Sequence, residues 1–149
     1  MVYTRTVASS ACGNTENCVN TPTTILSYAA HTWKVRAMVD GVWRAYSATR
    51  AFSIVVIPTA AAPSAAIQDT TPSFTWSKVD RGTRYQYQLY KGAALVYTKT
   101  VLASACGSTE NCVNTPTKLL ASGAYTWRVR AMASGIWQPF SAANTFTIP

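Results

Sequence analysis

The four cysteines are the residues most able to do chemistry. They fall as Cys12/Cys18 and Cys106/Cys112, each pair enclosing five residues drawn largely from Gly, Ser, Thr, Asn and Glu. Thiols at that spacing could hold a metal, exchange with another disulfide, or close a loop. A zinc site takes about four ligands. Each region offers two cysteines, and the single histidine, His31, has Tyr125 in the corresponding place of the second region. Redox exchange uses C-x-x-C, which neither pair is. The better reading is a local disulfide in each region, stabilising it by on the order of 2.4 kcal/mol on the chain-entropy account. Disulfides imply an oxidising compartment, so the expected location is extracellular or the cell surface.

The second chemical feature is cationic and aromatic. Arg128 and Arg130 precede Trp137 and Phe140, and Lys34 and Arg36 precede Trp43 and Tyr46 in the same way. A guanidinium over a ring gains about 0.5–1 kcal/mol at an exposed site. Two readings follow. Such a ladder stiffens the sheet that carries it, or it forms a binding face of Arg36, Trp43, Arg128, Arg130 and Trp137 on which sugar rings stack. Gln86, Gln88 and Gln138 are the candidate polar partners for a sugar.

Catalysis has no comparable support. General acid–base work needs a tuned histidine or carboxylate pair. The carboxylates are Glu16, Asp40, Asp69, Asp80 and Glu110, with Glu16 and Glu110 each inside a different cysteine loop. No phosphate cradle, metalloprotease helix or nucleophile elbow is present. The expectation is a non-enzyme without cofactor or metal. The net charge of +8 comes from scarce acids rather than from basic runs. Nucleic acid is therefore not an expected partner, whereas an anionic glycan or cell envelope suits a basic surface. No stretch nears the ~18 apolar residues of a membrane span, so membrane insertion is not expected. VYTRTV after Met1 lacks the apolar core of an export signal. An exported chain without that signal leads to the expectation that Met1 is not the true start of the polypeptide.

The elements that position these groups come in two copies. Residues 2–55 recur as 96–149 with about 60% identity, the mark of a tandem array. HTWKVRAM becomes YTWRVRAM, and GVWRAYSA becomes GIWQPFSA. The second copy has a lead-in, residues 58–95, that the first lacks. The expected division is a partial unit over 1–57 and a complete one over 58–149. Ala60–Ala66 reads as a linker running into an edge strand. Phe74 and Trp76 alternate with Thr75 and Ser77, and Tyr85, Tyr87 and Leu89 alternate with Gln86, Gln88 and Tyr90. Leu95–Leu102 reads as a further strand, and Val113–Leu120 as a short one broken by Pro116. Tyr125, Trp127, Val129 and Ala131 then share a face, as do Phe146 and Ile148. Seven short alternating segments and no capped 3.6-residue period predict an all-β antiparallel sandwich, essentially without helix.

PSFTWSKVDRGTRYQYQLY, LLASGAYTWRVRAM and SGIWQPFSAANTFTI together resemble a fibronectin type III domain, an immunoglobulin-like sandwich. They are most similar to the bacterial extracellular tandem-repeat versions. The resemblance covers all of the second copy and strands C′, E, F and G of the first. It implies that Trp76 is the buried strand-B tryptophan and that Tyr125 bonds back to the backbone at the E–F corner. His31 stands at that corner in copy one. GIWQPFS further resembles a degraded WSXWS box of cytokine-receptor type III domains. In this fold strand C lies between C′ and F, and B pairs with E, so copy one lacks the centre of both sheets. It should expose Trp33, Val35, Phe52 and Ile54 and be completed by neighbouring repeats. The expected function is a structural, self-associating module of an extracellular filament or cell-surface array, with itself as partner. The alternative is a carbohydrate- or surface-binding accessory module of a secreted enzyme or adhesin, with glycans as partner.

Overall fold

The computed structural model describes residues 3–13 and 17–149; Glu16 of the first cysteine loop lies outside them. In copy one the strands are β1 (Ala30–Trp33), β2 (Met38–Val39), β3 (Val42–Trp43) and β4 (Arg50–Ser53). The second copy and its lead-in supply β5 (Ala60–Ala62), β6 (Ala65–Ala66), β7 (Phe74–Ser77), β8 (Gly82–Lys91) and β9 (Ala94–Leu102). Beyond the second cysteine loop come β10 (Asn111–Asn114), β11 (Gly123–Ala133), β12 (Ile136–Trp137) and β13 (Asn144–Ile148).

Alternation decides which residues make the core. A strand's side chains point to opposite faces, so β7, β8 and β11 each send every second residue inward. Phe74, Trp76, Tyr85, Tyr87, Leu89, Tyr125, Trp127, Val129 and Ala131 are all buried, as predicted. One sheet runs β10-β7-β5 and the other β6-β13-β11-β8-β9. In type III lettering these are E-B-A and A′-G-F-C-C′, so the fold is an immunoglobulin-like, fibronectin type III-like sandwich. Phe74 sits at the centre, 4.8 Å from the Tyr87 ring and 5.1 Å edge-on to Trp127. The Trp127 indole donates to the Pro63 carbonyl at 3.1 Å. Trp76 is buried as the resemblance implied, yet its indole N–H has no partner.

Two expectations need correction. Ala60–Ala66 is not a linker: β5 pairs with β7 antiparallel, and β6 crosses to the other sheet and pairs with β13 in parallel. Pro63, preceded by a cis peptide, lies between the two pieces, where its missing N–H interrupts no ladder. The strand read over Val113–Leu120 instead spans Asn111–Asn114, because Cys112 faces inward opposite Trp76 and pairing ends before Pro116. Among the described residues the helical elements are two four-residue 3-10 turns, Ser9–Cys12 and Ala103–Cys106, each leading into a cysteine loop, so the fold is nearly all β as expected. Both disulfides, Cys12–Cys18 and Cys106–Cys112, are formed.

Copy one departs from copy two in an instructive way. Residues 97–102 are strand, whereas their counterparts 3–8 are not. Residues 111–114 are strand, whereas 17–20 are not. The sequences match closely, so propensity does not explain the difference. Strands C′ and E pair with C and B, which the lead-in supplies to copy two alone. Without those neighbours residues 3–8 and 17–20 have no ladder to join. The F and G strands have each other, and they form: β1 pairs with β4, matching the β11–β13 register. Trp33, Val35 and Phe52 are exposed and Ile54 is half-buried, close to expectation.

Candidate functional site

The E–F corner shows how closely the copies agree where both have the residues. Tyr125 donates its hydroxyl to the Ala121 carbonyl at 2.7 Å, the bond the resemblance implied. His31 replaces the tyrosine, yet its Nε2 meets the counterpart carbonyl, that of Ser27, at 2.9 Å. His31 also stacks on Phe52 at 5.4 Å, as Tyr125 does on Phe146 at 5.3 Å. An imidazole thus keeps both contacts of the phenol.

The ladder is built by strand alternation. Arg128 and Arg130 leave β11 on the side opposite Trp127 and Val129, beside Gln88 and Gln86 of β8. The rungs run Trp137, Arg130, Phe140, Arg128, Tyr90. Arg130 lies 4.8 Å from the Trp137 ring and 4.6 Å from Phe140. Arg128 lies 4.3 Å from Phe140 and 5.3 Å from Tyr90. The guanidiniums are also clamped from below. Arg130 donates Nε and Nη2 to Gln86 Oε1 at 3.0 and 2.7 Å. Arg128 donates the same pair to Gln88 Oε1 at 3.2 and 3.0 Å. Tyr90 accepts from Arg128 at 2.9 Å and donates to Gln88 at 2.8 Å. The oxygens of Gln86 and Gln88, read as sugar partners, are therefore engaged by the ladder.

Copy one repeats the ladder without its clamp. Arg36 lies 4.5 Å from the Trp43 ring and 4.7 Å from Tyr46, and Lys34 lies 4.2 Å from Tyr46. Ser47 ties the following segment back exactly where Ser141 does in copy two, through Val35 and Val129 respectively. Trp43 is 40% and Tyr46 47% exposed.

A joint between the copies is the feature that the sequence did not announce. Tyr28, 9% exposed, is the one buried large apolar side chain in 3–57 among the described residues. Its hydroxyl donates to Asp80 Oδ2 at 3.2 Å, and Arg81 covers its ring at 4.4 Å. Its N–H donates to Ser134 Oγ at 3.2 Å, and its carbonyl accepts from the buried Gln138 at 3.3 Å. Arg81 also reaches the Leu26 carbonyl at 3.4 Å. The Tyr28 phenol first, and then Asp80, favour the charged form of Arg81 and hold its pKa above the ordinary value against partial desolvation. The E–F corner of copy one thus seats on the B–C and F–G turns of copy two. The sequence carried one signal: Tyr28 has Ser122 as its counterpart in an otherwise well-matched repeat.

Among the described residues no three His, Cys, Asp or Glu side chains gather as metal ligands. No helix among them is long and apolar enough to cross a membrane.

No family model matches this chain, and no curated protein does. Among solved structures, the chicken CNTN1 FN1-FN3 domains are similar at 17% identity with a TM-score of 0.47, covering 83% of this chain and 42% of theirs. Rat CD45 extracellular domains d3-d4 are similar at 15% identity with a TM-score of 0.41, covering 99% of this chain and 80% of theirs. The chain therefore spans less than half the length of the first of these structures. The assignment rests on the chain's own strand order and core: the lead-in and second copy form a fibronectin type III-like sandwich.

Proposed function

We propose that this chain is a structural, self-associating module of an extracellular filament or cell-surface array of type III-like repeats. The observation that carries this reading is the Tyr28 joint. A spacer needs stiff bodies and a stiff connection between them. The clamped ladder stiffens the complete copy, and Tyr28 supplies the connection. The linking stretch is short as well, since Thr59 already exchanges hydrogen bonds with Ser77 of β7. Six buried aromatic rings packed within one small core give the rigidity that a tandem spacer requires. The two disulfides and the Thr/Ser-rich surface suit an extracellular setting. Sedimentation velocity and negative-stain microscopy of the oxidised chain test the proposal. Concentration-dependent assembly into ordered particles is expected, and a strict monomer at every concentration would overturn it.

One observation favours a second reading, a carbohydrate- or surface-binding accessory module. In copy one the ladder is exposed at Trp43 and Tyr46, and no glutamine of this chain occupies the place held by Gln86 and Gln88 in copy two. Arg36 is accordingly better placed than Arg128 or Arg130 to meet an anionic sugar. Affinity electrophoresis on an anionic polysaccharide, comparing Trp43→Ala and Trp137→Ala with the parent, separates the readings. Retardation lost in Trp43→Ala supports binding, and no retardation of the parent removes it.

A further inference from the structure

We infer that the outer face of β8 and β9 in copy two is a binding surface for the sulfate or carboxylate groups of an anionic polysaccharide, which it meets through Arg84, Gln86, Gln88 and Thr100. The surface is separate from the copy-one ladder discussed above, and it does not depend on self-association.

Charge is distributed to suit an anion. The sheet β6-β13-β11-β8-β9 carries Arg84, Lys91, Lys99, Arg128 and Arg130 and not one carboxylate. The carboxylates of copy two and its lead-in, Asp69, Asp80 and Glu110, all stand on loops and turns. Among the described residues the one ion pair is Arg81 with Asp80, away from this face. Arg84 is exposed and has no bonding partner among those residues. A cationic face with no acid to answer it attracts polyanions.

The glutamines give the face its chemical polarity. Gln86 lies between Arg130 of β11 and Thr100 of β9, and Gln88 lies between Arg128 and Thr98. A guanidinium only donates, so it fixes which end of an amide it meets. Each glutamine oxygen accepts two arginine N–H groups, and that of Gln88 accepts the Tyr90 hydroxyl as well. Both Nε2 groups are left as donors without a partner among the described residues. Arg84 continues the row on the same face of β8, about 7 Å beyond Gln86 at the usual strand rise. A neutral sugar hydroxyl both donates and accepts, so it needs acceptors that this row no longer has. An oxyanion needs donors alone. The ladder thus leaves a donor row that favours sulfate or carboxylate over a neutral sugar. Single-stranded nucleic acid fits less well, because it stacks its bases on open rings. Here Trp137, Phe140 and Tyr90 are already taken by Arg130 and Arg128.

The experiment is affinity electrophoresis of the full oxidised chain in gels holding dextran sulfate, polygalacturonate or neutral dextran, with poly(dT) as a competitor. Gln86→Glu keeps an oxygen for Arg130 and replaces the donor amide with a charged acceptor. Retardation by at least one anionic polymer and none by neutral dextran is expected. Arg84→Gln should raise the dissociation constant about tenfold, the loss of one bond to a charged group, and Gln86→Glu by at least as much. Lys118→Gln removes the same charge from the loop before β11 and should change it by less than about twofold. Urea unfolding should find Gln86→Glu no less stable than the parent, since a carboxylate holds Arg130 at least as well as an amide. Retardation unchanged in both Arg84→Gln and Gln86→Glu, or weakened equally by Lys118→Gln, would overturn the site. Retardation lost in Trp43→Ala but kept in Gln86→Glu would overturn it in favour of the copy-one ladder. Binding to poly(dT) tighter than to either polysaccharide would overturn the ligand class, and a parent retarded by neither anionic polymer would overturn the inference outright.

Discussion

Replacing Tyr28 with serine, the residue at the matching place in copy two, should release the joint without harming the complete copy. The ring is almost fully buried between Arg81 and the turn residues of copy two. Removing an aromatic of that burial forfeits about 2–3 kcal/mol of apolar transfer free energy. The phenol bond to Asp80 contributes about 1 kcal/mol more, the usual net for one hydrogen bond. The bonds made by the Tyr28 N–H and carbonyl do not depend on the side chain and remain available. The docked arrangement should therefore weaken by about 3 kcal/mol, a shift of roughly 100-fold in the docked-to-undocked ratio. Paired spin labels, one on each copy, read this directly. The parent should give one narrow distance distribution and Tyr28→Ser a broad one, measured where the chain is monomeric. Asp80→Ala should broaden it only slightly, since it removes the smaller contribution. A narrow, unchanged distribution in Tyr28→Ser would refute the reasoning, because the linking stretch alone would then fix the geometry.

Arg130→Met should lower the stability of the complete copy by about 1–2 kcal/mol in urea unfolding, through lost ring contacts and the two bonds to Gln86. Its counterpart Arg36→Met, on an unclamped and exposed ladder, should change that transition by less than about 0.5 kcal/mol. Trp127→Phe should cost about 1 kcal/mol more than Trp76→Phe in the same assay, because only the Trp127 indole has a bond to lose. Burial, with Tyr97 adding to it, pushes the Tyr87 phenol well above the usual tyrosine range. Below about pH 10 both folded and unfolded chains keep that proton, so its contribution is fully present. Above that, the unfolded chain releases the proton while the folded chain holds it, and stability falls by up to about 1.4 kcal/mol per pH unit. Tyr87→Phe, although less stable overall for losing the Asn114 bond, should show a shallower alkaline decline.

The strands of copy two were legible because period-two alternation is a direct image of burial on one face. Phe74 to Ser77, Tyr85 to Tyr90 and Tyr125 to Ala131 each pointed as read. Ala60–Ala66 was illegible because alanine carries almost no face signal, and its switch between sheets depends on where β7 and β13 lie. The failure of residues 3–8 and 17–20 to form strands is equally invisible in their own sequence. It follows from an absent neighbour, so only the missing lead-in hinted at it. The ladder's rings and cations were readable from spacing, but the clamp by Gln86 and Gln88 needed the β8–β11 register. The joint was hidden because Tyr28 acts on turns that lie about fifty and a hundred residues further along the chain.

Strand formation in this chain is thus set by partners rather than by propensity, and near-identical segments provide an internal control. Residue-resolved amide hydrogen exchange compares them within one sample. The amides of 99–102 and 112–114 that bond to β8 and β7 should be protected by orders of magnitude, while their counterparts among 5–8 and 18–20 exchange near the unprotected rate. Equal protection of both sets would contradict the account, for copy one would then be a closed sandwich with its centre supplied.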